Sequence, residues 1–351
     1  MKAASSTRRR VGALLCCCWL PISCQREAET SAGSASEPVT LAGRAFGSTW
    51  SVKLAEPLDA ARAANLGEAV QTALDRVDAQ LSNWRDDSEV SRFNARRDTN
   101  WFAVSAETAR VAAEALRLSE LSGGAFDPTV EPLVRLWGFG PARRNGPLKT
   151  IPTDESIAAA RTHVDWRKLH VRSEPPALRK DDVALTVDYS ALADGHALEM
   201  ISSLLEQRGR TNFLAEIGGA LSARGRGPWR VAIEQPWLET RAVLRTMTLE
   251  NTTLSSSGTY RNSFEIAGKR YSHLINARTG WPVVHALATV SVVHDSALMA
   301  DGLDTMLAVL GPEAGWELAE RNGWAALFVS RDGALFWEKP TTEFERRFPR
   351  E

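Results

Sequence analysis

The feature that most constrains this chain is the run from Leu254 to Leu310, where strand periodicity gives way to helix periodicity without a long break. Phe264 and Ile266 alternate before Ala267-Gly268, and Tyr271, His273 and Ile275 alternate after it. That is the pattern of a hairpin turned at a glycine. Its second arm carries a histidine among apolar residues and runs into a polar turn over 276–280. After a further strand over 287–293, Asp295 can cap a helix over 296–310 that Gly311-Pro312 stops. On that helix Asp304 and Thr305 follow Asp301 at the two spacings that place side chains on one face, so two or three oxygen ligands sit together. A histidine, an arginine and a carboxylate–hydroxyl pair delivered by hairpin, turn and helix suit a phosphate and a divalent metal. The same spacing also describes a surface helix with two solvated carboxylates beside a half-buried histidine. Spacing alone favours that plainer reading.

The rest of the chain supplies strands, hairpins and interspersed helices with no regular βαβ repeat, which predicts an α+β fold dominated by antiparallel sheet. Folded structure is expected from Val39, with strands over 39–46 and 50–54. Leu66, Val70, Leu74, Val77 and Leu81 recur at helical spacing, which predicts an amphipathic helix over 59–81. It runs into the polar loop around Trp84, where Ser88 can cap the next helix. Ser105 can cap another helix that ends at Gly123-Gly124. A basic, proline-bounded loop over 142–149 precedes a helix over 152–161. Strands are read over 166–171 and 184–187, bracketing a charged turn, and a helix follows Asp194-Gly195. Further strands are read over 212–217, 229–234 and 243–249, then a short helix over 315–322 and a hairpin over 327–337 turned by Asp332-Gly333.

Charge and cysteine bound the setting. The formal charge is −1, from 42 basic and 43 acidic residues. Lys2, Arg8, Arg9 and Arg10 all lie in the first 23 residues, and without them 38 basic face 43 acidic residues, a charge of −5. Nothing there favours nucleic acid. All four cysteines, Cys16, Cys17, Cys18 and Cys24, lie at the start, so the body has no disulfide, thiolate metal site or cysteine nucleophile. A basic start, a short apolar run over 11–22 and small Ser23 before Cys24 predict an export signal over 1–23 of the lipoprotein type. Residues 24–38 then form a flexible tether to a domain over 39–345. This implies an exported, periplasmic protein anchored to the inner membrane by a lipid on Cys24.

The stretch LSSSGTYRNSFEIAGKRYSHLINARTGWPV followed by ALMADGLDTM resembles the C-terminal signature of the ApbE family, the FAD:protein FMN transferases. Upstream, GSTWSV, LSNWRDDSEVSRFN, GGAFDPTVEPLVRLWGFGP, VDYSALADGHALE and LAEIGGALSARG with WRVAIEQP behind it appear in the family's order. The resemblance implies a T-fold-like architecture, with antiparallel sheets, packed helices and two lobes around a cofactor cleft. It implies transfer of the FMN half of FAD to a threonine hydroxyl of a target protein, with AMP leaving. The implied acceptors are subunits of membrane electron-transport complexes or other exported flavoproteins.

Residue by residue, the resemblance makes His273 the general base, with Arg278 beside it. It makes Asp301, Thr305 and the main-chain carbonyl of Ala191 the ligands of Mg²⁺. FAD contacts fall on Phe46, Trp84, Ala125, Phe126, Asp127, Asp188, Asp194 and Leu274. Two positions depart from the family: Asp194 stands where many relatives have lysine or glutamate, and Ala277 where a proline is usual. The nucleophile comes from the partner, and phosphoryl transfer asks the enzyme mainly for alignment and charge neutralisation. Two rivals share these residues: an FAD pyrophosphatase in which water replaces the threonine, and a non-catalytic flavin-binding lipoprotein.

Overall fold

Strands rich in β-branched residues and separated by glycine turns build one antiparallel sheet, and its spatial order repeats its chain order. In the computed structural model, which describes residues 39–350 apart from 147, 228, 238–241 and 334, the sheet has eight strands. They are β1 (Val39–Ala45), β2 (Ser48–Leu54), β3 (Phe213–Ile217), β4 (Ala220–Arg224), β5 (Thr253–Gly258), β6 (Leu287–His294), β7 (Ala325–Asp332) and β8 (Leu335–Pro340). Every neighbouring pair is antiparallel. The export signal and tether expected over 1–38 lie outside the described residues.

Both faces of this sheet are covered, as the period-2 alternation requires. Val52, Leu54, Val290, Val292 and Phe328 face a helical layer. It consists chiefly of α1 (Ala60–Leu81), α2 (Ala106–Leu121), α3 (Ser190–Gln207) and α4 (Ala297–Leu310). Leu214, Leu254, Val293, Leu327 and Val329 face the other way. There a ribbon of Arg230–Glu234 and Val243–Thr248, with the helix Thr342–Arg347, closes the second core. The α+β class is therefore as expected. The insertions carry the helices α1 to α3 between β2 and β3, and the hairpin Ser263–Ile266/Lys269–Ser272 between β5 and β6.

Three local expectations are corrected. Ser296 caps α4, its hydroxyl accepting from the Met299 N–H at 3.3 Å, where Asp295 was expected to do so. The strand read over 166–171 begins only at Leu169, because Asp165 caps a short 3-10 turn over Trp166–Lys168. Its partner is Pro176–Lys180, not 184–187. Residues 184–187 look β-like but meet a side chain instead of a strand. Asn94 accepts from the Val187 N–H at 2.7 Å and donates to its carbonyl at 2.9 Å.

Candidate active site

The site is built where α3 and α4 cross. A Cβ on Gly195 of α3 would lie 2.3 Å from the Ala297 carbonyl of α4, so only glycine lets the two backbones approach this closely. The close approach brings the Gly195 N–H to Asp301 Oδ2 at 2.7 Å. That N–H is also the one α-helix geometry assigns to the Ala191 carbonyl, which keeps lone-pair capacity as a result. Glu199, one turn on, fixes the start of α4. It accepts from the Ser296 hydroxyl at 2.7 Å and the Leu298 N–H at 3.2 Å, while Arg110 holds its other oxygen at 2.7 Å.

Asp301 and Asp304 are 9 % and 2 % exposed, so α4 is not the solvated surface helix that spacing alone favoured. Burial pushes the carboxyls of Asp194, Asp301 and Asp304 up, and for Asp301 the charges of Asp304 and Asp194 push further. Gly218, at φ +61°, has no room for a Cβ because Asp194 Oδ2 would lie 2.0 Å away. Thr305 donates its hydroxyl to Asp304 Oδ1 at 3.1 Å. No lysine, arginine or histidine among the described residues forms an ion pair with any of the three carboxylates. Buried negative charge without a partner is costly, and a hard divalent cation relieves it. No three His, Cys, Asp or Glu side chains among the described residues are arranged to hold a metal by themselves. The oxygens that line the same cleft belong to Asp194, Asp301, Asp304, Thr305 and Ala191, and of these the family resemblance picks out Asp301, the Thr305 hydroxyl and the Ala191 carbonyl.

The opposite wall is the hairpin, seated on aromatic rings. Trp137 stacks on Tyr271 at 5.5 Å and meets Trp281 at 5.1 Å, and Phe139 meets Phe264 at 5.2 Å. Trp137 Nε1 also donates to the Gly280 carbonyl at 2.8 Å. On this platform His273 turns its Nδ1 to the Asn262 carbonyl at 3.1 Å, beside its own N–H on the same oxygen at 3.0 Å. A carbonyl only accepts, so Nδ1 carries the proton and Nε2 holds the lone pair. Burial lowers the imidazole pKa, the Asn262 carbonyl raises it, and the Arg143 charge lowers it again, with a net fall. His273 is thus held neutral and basic at the cleft.

The cleft, of about 940 Å³, gathers Phe46, Trp84, Phe126, Asp127, Asp188, Ala191, Asp194, His273, Leu274, Asp301 and Thr305. Phe46 sits at φ 53° in the β1–β2 turn, a left-handed conformation uncommon for a bulky residue and worth its strain where a ring must be aimed. Trp84 is 48 % exposed. Two expected residues are not in the lining. Ala125 is buried, and its carbonyl accepts from the Ala277 N–H at 3.1 Å, so it tethers the 276–280 turn. Arg278 is exposed, with Nη1 beside the Gly123 turn and outside the cleft lining. Asp127 lines the cleft, but its oxygens already accept from Thr129 and the Trp166 N–H, so it shapes the wall. Asn262 and Arg143 join the site without a sequence signal, whereas Asp304 is the acid that helical spacing already set on one face with Asp301 and Thr305.

Comparison with known proteins shows which family the chain resembles over most of its length. The chain matches the model of the ApbE family over residues 46–328. It is 40 % identical over 334 residues to the FAD:protein FMN transferase of Salmonella typhimurium, an alignment covering 93 % of this chain and 94 % of that protein. The structure superposes on the flavin transferase ApbE of Vibrio cholerae with a TM-score of 0.81 and 35 % identity, over 89 % of this chain and 99 % of that one. It superposes equally well, at 0.81 and 39 % identity, on the apo form of the flavinyl transferase ApbE of Pseudomonas stutzeri, over 90 % of this chain and 98 % of that one. Matched through both walls of the cleft and nearly end to end, the chain belongs to the ApbE family.

Proposed function

We propose that this protein transfers the FMN half of FAD to a hydroxyl of a partner protein, a threonine by the family resemblance, and releases AMP. The observation that carries the reading is the fixed tautomer of His273. Its Nδ1 is committed to the Asn262 carbonyl, so Nε2 is the nitrogen left with a lone pair, on a residue that lines a cleft with buried carboxylates. In this reading Nε2 takes the proton of the incoming hydroxyl, and its oxygen attacks the phosphorus on the FMN side of the pyrophosphate. The bond to the AMP phosphate breaks, and AMP carries away the electron pair. Mg²⁺ held by Asp301, Thr305 and the Ala191 carbonyl supplies charge neutralisation at the pyrophosphate when bound. Phe46 and Trp84 offer rings against which the flat parts of FAD can stack.

The test combines the full chain, FAD, Mg²⁺ and a threonine-bearing acceptor from a membrane electron-transport complex. Flavin fluorescence should stay with the denatured acceptor on a gel, with AMP appearing in equal amount. AMP release without any acceptor labelling would replace transfer by FAD hydrolysis.

The same reading places the protein at the periplasmic face of the inner membrane, anchored by a lipid on Cys24. Among the described residues no helix is long and apolar enough to cross a membrane. Mass spectrometry of the mature N-terminus checks the anchoring. An unprocessed Met1, or cleavage well beyond Cys24, sinks the anchor.

A further inference from the structure

The basic loop noted in the sequence has no part in the chemistry above, yet its first turn lies across the mouth of the cleft. Gly140–Asn145 forms a short 3-10 turn, and Gly140, Pro141 and Arg143 line the cleft. The turn is rooted in the aromatic platform through Phe139, which is 2 % exposed. From that root its two consecutive arginines reach two separate segments of the lining. Arg144 donates to the Trp84 carbonyl at 2.6 Å, and its guanidinium carbon stands 5.3 Å from the centre of the Trp84 ring. Trp84 lines the cleft and Arg144 does not, so the guanidinium backs the ring from outside. Arg143 donates to Asn262 Oδ1, and the Asn262 carbonyl is the group that orients His273.

Neither arginine has a carboxylate partner among the described residues, although Arg85 in the same mouth is held by Asp78 and Asp87. A guanidinium stacked on an aromatic face and bonded to a carbonyl fixes both the ring's position and its tilt. A further tie of Trp84 is its backbone N–H, which donates to the Ser82 hydroxyl at 3.1 Å.

We propose that Arg143 and Arg144 are positioning residues that fasten two separate segments of the cleft lining to one turn. Arg144 sets Trp84 for stacking on bound FAD, and Arg143 sets Asn262 and through it His273. The inference rests on the reading of the cleft as an FAD site.

The experiment measures FAD binding by quenching of flavin fluorescence, and transfer at saturating FAD, on the full chain. Failure of the parent protein to bind FAD defeats the reading of the cleft, and with it this assignment. Where the parent binds, Arg144→Ala should raise the FAD dissociation constant roughly tenfold, with kcat within about twofold of the parent. Arg143→Ala should instead lower kcat by roughly tenfold at unchanged FAD affinity. Lysine at 143 keeps a cation and one donor and should recover most of the lost kcat, whereas lysine at 144 lacks the planar guanidinium face and should leave the FAD dissociation constant raised. Parent-like constants in both alanine variants overturn the assignment even though FAD binds. So does a loss that falls on affinity and kcat together, or a loss of kcat at 143 that lysine does not repair, since either is a folding defect.

Discussion

Helices α1 and α4 carry the same acidic spacing and put it to opposite uses. On α1, Asp75 and Asp78 are three apart; on α4, Asp301 and Asp304 are three apart. Asp75 is exposed and accepts from Gln71 at 2.9 Å, and Asp78 is paired with Arg85 at 3.2 Å. The α4 pair is buried beside Asp194 with no ion pair among the described residues, and its carboxyls are pushed up by that burial. The difference lies in what surrounds the helix. α1 has one apolar stripe and a wet outer face, whereas α4 is buried on nearly every side, so its polar groups point only into the cleft. A pattern of acids becomes a site when packing strips it of solvent and of counter-ions.

The sharpest way to break this comparison is to remove one acid from each helix. Asp301→Ala should lower transfer by roughly a hundredfold or more. Its melting temperature should not fall, since a buried uncompensated charge goes with it. Asp75→Ala should leave both transfer and stability within about 0.5 kcal/mol of the parent. Full transfer by Asp301→Ala, or by the parent in excess chelator, would put α4 back among ordinary structural helices.

Next in size is the opposite wall. His273→Ala should cost roughly a hundredfold in transfer while FAD affinity stays within a few-fold, as for loss of a general base. The pH profile adds a sign. The neutral imidazole is the active form, and burial lowers its pKa. The acid limb of kcat/KM should therefore lie below about 6.5, the ordinary histidine value, and activity should persist as pH falls through that range. A limb centred above 7, or a variant that still transfers at the parental rate, assigns the base to another group.

How far the sequence reached follows from the same contrast. The α1 stripe was legible because a half-buried helix announces itself by periodicity. The antiparallel class and the hairpin turn were legible from period-2 runs and glycine turns, but the second arm ends at Ser272, so His273 follows the strand instead of lying on it. The burial of α4 had a signal that spacing ignores: Ala297, Leu298, Met299, Leu303, Met306, Leu307 and Val309 surround its two acids, and a helix apolar on all sides is an interior one. Residues 184–187 were misplaced because Asn94, about ninety positions away in sequence, stands in for a strand. The path of Arg278 was hidden for a similar reason. The Ala277 N–H bonds to the Ala125 carbonyl across the fold, which sets where the turn points.

Glycines on the two helices give the stability counterpart of the acid experiment. On α4, a Cβ at Gly302 would stand 2.4 Å from a Leu118 methyl and 2.7 Å from one of Leu192. Both leucines are fully buried and cannot swing out. Gly302→Ala should therefore destabilise by about 1–3 kcal/mol through overpacking, seen as a lower urea midpoint with unchanged slope.

The smallest effect belongs to Gly67 on α1, and it should have the opposite sign. This glycine lies inside a 22-residue helix, and a Cβ built on it meets no heavy atom within 4 Å. Alanine there adds no clash and removes backbone freedom that the unfolded chain otherwise keeps. Gly67→Ala should stabilise by about 0.5–1 kcal/mol, with transfer and FAD affinity unchanged, read as a small rise in the urea midpoint at constant slope. The pair of variants isolates packing from propensity, because both replace a helical glycine by the same residue. If Gly67→Ala instead destabilised, the outer face of α1 would not be open, and its acids would owe their quiet behaviour to something other than solvent.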